Sequence, residues 1–236
     1  MLRHTLLCLC GLLLLLSGCS TVTPHPTTLS TTVVPANTPA LETLSSSVTL
    51  SFRTAEKHMS GRGVMLYRRP DQLRLVLLSP FGTTLMEVLI NGQELILSYP
   101  GNGVAYSGLV SQLPRAAGQQ PWRLLQWVLS HEPPPGAPEQ GSITHTNGFG
   151  SEETVTLERG LVVEKSLKQG ERVRYRNYRQ LQGVWVATEL LMEGADGERI
   201  TVTLEDPEIN EDLGEQAFVP RLAGLKLLPL TELKVP

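Results

Sequence analysis

From Ser47 to Arg53 the chain alternates. Val48, Leu50 and Phe52 are apolar, and Ser47, Thr49, Ser51 and Arg53 between them are polar. A period of two puts one set on each face of a β-strand. Comparable runs follow at Gly63 to Arg68, Gln72 to Leu78, Leu85 to Ile90 and Glu94 to Tyr99. They are separated by Arg69-Pro70-Asp71, Ser79-Pro80-Phe81-Gly82 and Asn91-Gly92, and an Asn-Gly step between two such runs predicts a hairpin. The second half repeats the style at Leu161 to Lys168, Arg172 to Tyr178, Val184 to Leu191 and Arg199 to Glu205.

One segment between the halves has a different period. After Pro121, the residues Trp122, Leu125 and Leu129 share a helical face, while Arg123, Gln126 and Ser130 occupy another. Proline suits a first helical turn, and Pro133-Pro134-Pro135 enforces a stop. The pattern predicts a mainly β, α+β domain: a half-open, strongly curved antiparallel β-barrel with a helical lid against its concave face. One helix covers less apolar area than such a sheet presents, so an apolar cavity is expected. Its candidate lining residues are Leu50, Phe52, Leu75, Leu77, Val88, Ile90, Leu97, Trp122, Leu125 and Leu129. Alternatively, these side chains simply fill a core.

The N-terminus changes the picture of where this domain sits. Arg3 precedes an apolar run from Leu6 to Leu16, and Ser17-Gly18-Cys19 follows. The run is shorter than the roughly 20 residues needed to span a bilayer core, so residues 1–18 are expected to be a removable export signal. Leu16-Ser17-Gly18-Cys19 resembles the lipobox of bacterial lipoproteins, which implies an acylated Cys19; the alternative is an ordinary cleaved signal. Residues 19–40, rich in Thr, Pro and Ser, are expected to form a flexible tether. Residues 41–206 are expected to form the barrel and 207–236 a C-terminal extension. Ser20 is not the Asp of the inner-membrane retention rule, which implies the outer membrane, with the domain facing the periplasm.

Removing residues 1–18 leaves 19 basic against 23 acidic side chains, a net charge of −4, which argues against a nucleic-acid partner. Cys8 and Cys10 fall in the signal, so the mature chain keeps one thiol and no disulfide or zinc framework of its own. There is no G-x-S-x-G, H-E-x-x-H or P-loop, and His25, His58, His131 and His145 lack ligand spacing. An enzyme, a metal and a cofactor are therefore not expected, and His131 and His145 are expected in solvated loops. Asp206 to Asp212 is acidic without the glycine pattern of an EF-hand and is expected to be a solvated turn. Arg172, Arg174 and Arg176 line one face of a strand, either as a charged outer face or as a docking patch for an acidic partner.

Three stretches carry a family resemblance. Ser79-Pro80-Phe81-Gly82-Thr83-Thr84-Leu85-Met86-Glu87-Val88 is similar to the loop and following strand of LolB, the outer-membrane receptor that accepts lipoproteins from the periplasmic carrier LolA. Trp127-Val128-Leu129-Ser130 resembles the end of that family's helix. Arg172-Val173-Arg174-Tyr175 through Tyr178, with Val184 to Leu190, resembles its late paired strands. The resemblance implies a membrane-engaging loop at Pro80, Phe81 and Gly82, lipoprotein cargo and a LolA-like carrier as partner. Phe81 stands where the family has Leu, and the chain runs on past Glu205. A Phe81 packed into the core is the other reading of that loop. A scaffold of an envelope or secretion complex is the competing use of the same fold.

Overall fold

The computed structural model describes residues 39–53, 58–113, 127–129, 132–195 and 197–233. Among them thirteen strands form one sheet. In chain order they are β1 (Thr43–Arg53), β2 (His58–Arg68), β3 (Gln72–Leu78), β4 (Thr84–Asn91), β5 (Glu94–Tyr99), β6 (Val104–Leu109) and β7 (Gly141–Thr146). They continue with β8 (Glu152–Glu158), β9 (Leu161–Leu167), β10 (Arg172–Leu181), β11 (Val184–Glu193), β12 (Arg199–Ile209) and β13 (Lys226–Pro229). The spatial order is β13-β6-β5-β4-β3-β2-β1-β12-β11-β10-β9-β8-β7. Each adjacent pair is antiparallel except β13 with β6.

The sheet is open, with β7 and β13 at its edges, and it is curved. Laid flat, β5 and β8 would lie about 43 Å apart at ~4.8 Å per strand. Yet Leu95 and Leu97 on β5, Val155 and Leu157 on β8, and Val173 on β10 all belong to one core and are at most 1% exposed. The described residues contain no second sheet to cover that face, so the sheet buries it by curling upon itself. A half-open, curved β-barrel with a small helical part is thus the architecture, as the period-two pattern implied.

The register separates the turns into two ends. At one end lie the β1–β2 connection, where Arg53 faces His58, the β3–β4 turn, and the turns joining β7 to β8, β9 to β10 and β11 to β12. At the other lie the start of β1, the β4–β5 turn, and the turns after β2, β8 and β10.

β12 does not stop at Glu205. It runs on to Ile209, which faces Leu44 and is buried, and the Asn210 side-chain oxygen accepts the Glu42 N–H at 2.8 Å. The acidic run is therefore half strand, pairing with the start of β1, rather than a turn. Beyond it, Arg68 donates to the Gly214 carbonyl at 2.8 Å and stacks 4.8 Å from the Phe218 ring centroid. Arg74 reaches the Ala217 carbonyl and the Glu87 carboxylate, both at 2.8 Å. With Phe218, Leu230 and Leu233 buried and β13 extending the sheet, residues 214–233 are packed structure.

Candidate functional site

The β3–β4 turn is closed by its own backbone. Ser79 N–H donates to the Thr83 carbonyl at 2.8 Å and Gly82 N–H to the Ser79 carbonyl at 2.9 Å. Ser79 Oγ accepts the Phe81 and Thr83 N–H groups, each at 3.2 Å. Pro80 has no N–H to satisfy, and Gly82 takes the left-handed φ of +79° that the turn needs. No part of this network uses the Phe81 ring, which is 93% exposed. Leu85 follows as the extra residue of a bulge, since Leu77 faces Met86 and Leu78 faces Thr84, and it too is exposed. Met59, at the start of β2, is a third exposed apolar side chain at this end.

The second feature lies inside the barrel. Residues 127–129 are helical and buried; the rest of the expected helix, with Trp122 and Leu125, lies outside the described residues, as does Cys19. Three strands grip this helical end. Trp127 Nε1 donates to Glu153 Oε2 from β8. Lys165 Nζ on β9 donates to the Trp127 carbonyl at 2.9 Å and sits 3.7 Å from Glu153 Oε2. Tyr175 Oη on β10 donates to the Val128 carbonyl at 2.6 Å. Both carbonyls belong to a helix C-terminus, where side-chain donors replace missing backbone partners. Glu153 is further met by His145 Nε2 at 2.8 Å and by Asn147 Nδ2 at 3.2 Å. His145 thus stands on β7 facing a buried carboxylate and is not a loop residue. Burial pushes the Lys165 ammonium down to about 8, a shift that Glu153 opposes, and burial raises the Tyr175 hydroxyl well above its usual range.

Two cavities accompany the grip. A small one of about 20 Å³ is bordered by Leu129 and lined by Leu44, Met65, Tyr175, Val186 and Leu204 among others. An open cleft of about 570 Å³ lies before the start of β1, among Pro39, Arg69, Pro138, Leu161, Tyr178 and Trp185. Of the residues expected to line an acyl cavity, Leu75, Val88, Ile90 and Leu97 are buried in the packed core, and Leu50, Phe52 and Leu77 are half-buried against it. Of the described residues in the expected set, Leu129 alone borders either space.

The arginine row is a charged outer face tied by acids. Arg172 and Arg174 lie 3.6 and 3.1 Å from Glu164, and Arg174 lies 3.6 Å from Glu193. Among the described residues no three His, Cys, Asp or Glu side chains are grouped to hold a metal.

Glu153, Lys165, Tyr175 and Trp127 escape pattern reading because the first two are charged residues at inward positions. A signal exists in retrospect: Glu153 has the parity of Val155 and Leu157, so the alternation itself points it inward.

A family model described as "Outer membrane lipoprotein LolB" matches residues 43–206. Among solved structures, a DUF1329 family protein from Desulfovibrio piger aligns with TM-score 0.59 at 11% identity, covering 80% of this chain and 93% of its own. A putative outer membrane lipoprotein-sorting protein domain from Vibrio parahaemolyticus aligns with TM-score 0.52 at 13% identity, covering 75% and 89%. At such identities the likeness concerns the fold. No curated protein sequence matches the chain.

Proposed function

The chain belongs to the LolB family of outer membrane lipoproteins, which gives it a role in lipoprotein localisation, and from that premise we propose how it acts. Acylated at Cys19 and tethered by residues 19–40, the barrel accepts the acyl chains of an incoming lipoprotein from a LolA-like carrier. It then passes them to the outer membrane at the Phe81 turn. The observation that carries this reading is Phe81 itself, a large apolar ring 93% exposed on a turn built without using it. Burying such a ring gains roughly 1.5 to 3 kcal/mol, enough to dip into a bilayer and too little to anchor there.

The 20 Å³ space bordered by Leu129 is too small for an acyl chain, so on this reading the helical end lifts to admit one. Exposing Trp127, Val128 and Leu129 costs roughly 5 to 9 kcal/mol at ~1.5 to 3 each. An acyl chain burying about 14 methylenes returns roughly 11 kcal/mol at ~0.8 each, so exchange of helix for cargo is close to balanced and needs no catalytic step.

Release of an acylated lipoprotein from its carrier into liposomes tests the reading: Phe81→Glu should slow insertion while leaving the fold intact. Undiminished insertion by that variant would remove the turn's role. The filled interior also favours a second reading, a lipoprotein scaffold whose barrel holds no lipid. Mass spectrometry of lipid co-purified with the protein separates the two, since acyl chains retained at stoichiometric level exclude the scaffold.

A further inference from the structure

A second turn repeats the Phe81 turn bond for bond. In Asn147-Gly148-Phe149-Gly150-Ser151, Asn147 N–H donates to the Ser151 carbonyl at 2.9 Å and Gly150 N–H to the Asn147 carbonyl at 3.0 Å. Asn147 Oδ1 accepts the Phe149 and Ser151 N–H groups, each at 3.0 Å. Asn147 therefore takes the part of Ser79, Phe149 that of Phe81, and Gly150, at φ +76°, that of Gly82 at +79°. Phe149 is 51% exposed, and neither five-residue turn contains a charged side chain.

Both turns lie at the same end of the sheet. Leu78 faces Arg62 on β2, whose start faces Arg53; Arg53 faces Arg199, and Arg199 faces Glu193. Glu193 faces Arg172, Arg172 faces Ser166, and Leu167 faces Glu153 beside the second turn.

We propose that the Phe149 turn is a second bilayer contact, so that the barrel meets the membrane at two phenylalanine-tipped, uncharged turns on one rim. This rests on the membrane role given above to Phe81. A bilayer is the occupant that fits, because each ring projects from an uncharged tip whose hydrogen bonds do not use it, and Leu85 and Met59 add exposed apolar surface at the same end. An uncharged apolar tip enters a membrane without the cost that a charged side chain would bring there. Two contacts also define an orientation, which one cannot. Asn147 links this contact to the barrel interior: its oxygen holds the turn, and its Nδ2 donates to Glu153, which accepts from Trp127 at the helical end.

The test uses the full chain reconstituted through its own anchor into liposomes of phosphatidylethanolamine and phosphatidylglycerol. Phe81→Cys, Phe149→Cys, Gly148→Cys and, at the opposite end, Gln93→Cys each carry an environment-sensitive fluorophore, with the unsubstituted chain treated in parallel to account for Cys19. Gly148→Cys retains both phenylalanines, and nothing lies within 4 Å of an added Cβ there, so it reads the turn even if Phe149→Cys misfolds. Expected is several-fold stronger quenching by nitroxide lipids at 81, 148 and 149 than at 93. Quenching at 81 without quenching at 148 overturns this inference and leaves the Phe81 reading standing. Quenching at neither turn overturns both, and quenching at 93 equal to that at 148 overturns the proposed orientation.

Discussion

Glu153→Gln isolates the grip on the helical end. The wild-type carboxylate, whose side chain is 5% exposed, accepts from Trp127 and Asn147 and lies near His145 and the Lys165 ammonium, itself 4% exposed. An amide of the same shape offers one acceptor oxygen and no charge, so it keeps the Trp127 bond at best and removes the carboxylate that lies 3.7 Å from the buried Lys165 ammonium. Removing one partner of a buried pair costs roughly 3 to 5 kcal/mol. Lys165 relieves part of this by releasing its proton more readily, which places the expected loss near 3 kcal/mol. Urea unfolding at pH 7, followed by circular dichroism, should show a midpoint lower by about 1.5 M for a slope of about 2 kcal/mol/M, with the slope unchanged. Amide exchange at residues 127–129 should rise by more than at β3 and β4, because the helical end opens first. A midpoint within 0.3 M of wild type, or exchange uniform over the chain, would refute the idea that Glu153 organises the grip.

Three further outcomes follow from the same physics. Burial lowers Lys165 to about 8 in the folded chain from its ordinary 10.5, so between those values the unfolded chain binds more protons and stability should rise with pH. The full rise is roughly 3 kcal/mol at ~1.4 per unit; it should be read between pH 8 and 9.5, below the range where unfolded tyrosines ionise and reverse the slope, and Lys165→Met should flatten it. Tyr175→Phe removes the donor to the Val128 carbonyl in a buried site and should cost about 1 to 3 kcal/mol in urea unfolding without altering the Phe81 turn. Arg74→Ala strands the Glu87 carboxylate beneath the 214–218 segment; a loss of roughly 3 to 5 kcal/mol, with faster proteolysis after Gly214, is expected.

The strands most legible in the sequence were those whose inward positions are mostly apolar. β3 and β5 have the bounds the alternation gives, Gln72–Leu78 and Glu94–Tyr99. β6 was hidden because the small residues Ala105, Ser107 and Gly108 blur its alternation, Gly108 lying against Leu230 where a side chain would collide. β7, an edge strand, carries Ile143 as its sole aliphatic residue and so reads as a loop. β8 was hidden by its function in the fold: Glu153 sits inward, and a carboxylate there breaks the apolar parity that marks a strand. The Phe81 turn was legible through resemblance, whereas its counterpart at Phe149 has a different sequence and the same hydrogen bonds. Ser79 and Asn147 are interchangeable as acceptors for two N–H groups, which only coordinates reveal.

On the proposed function, the two ends of the barrel divide the work of holding and handing over. β1 begins at Thr43 and ends at Arg53 beside the β1–β2 connection, about 36 Å away for an 11-residue strand at ~3.3 Å per residue. About 20 residues separate Cys19 from Pro39, and a chain of that length reaches at most about 65 to 70 Å. That exceeds the strand, so an acyl anchor at Cys19 leaves either end free to face the bilayer, and orientation falls to the turns. Two rings at ~1.5 to 3 kcal/mol each give a contact of roughly 3 to 6 kcal/mol. Its midpoint corresponds to a dissociation constant near 1 mM, which is the effective concentration a short tether supplies. A contact balanced in this way is made and broken readily, as repeated delivery requires; a stronger pair of tips would hold the rim in the membrane and close the barrel to the next carrier.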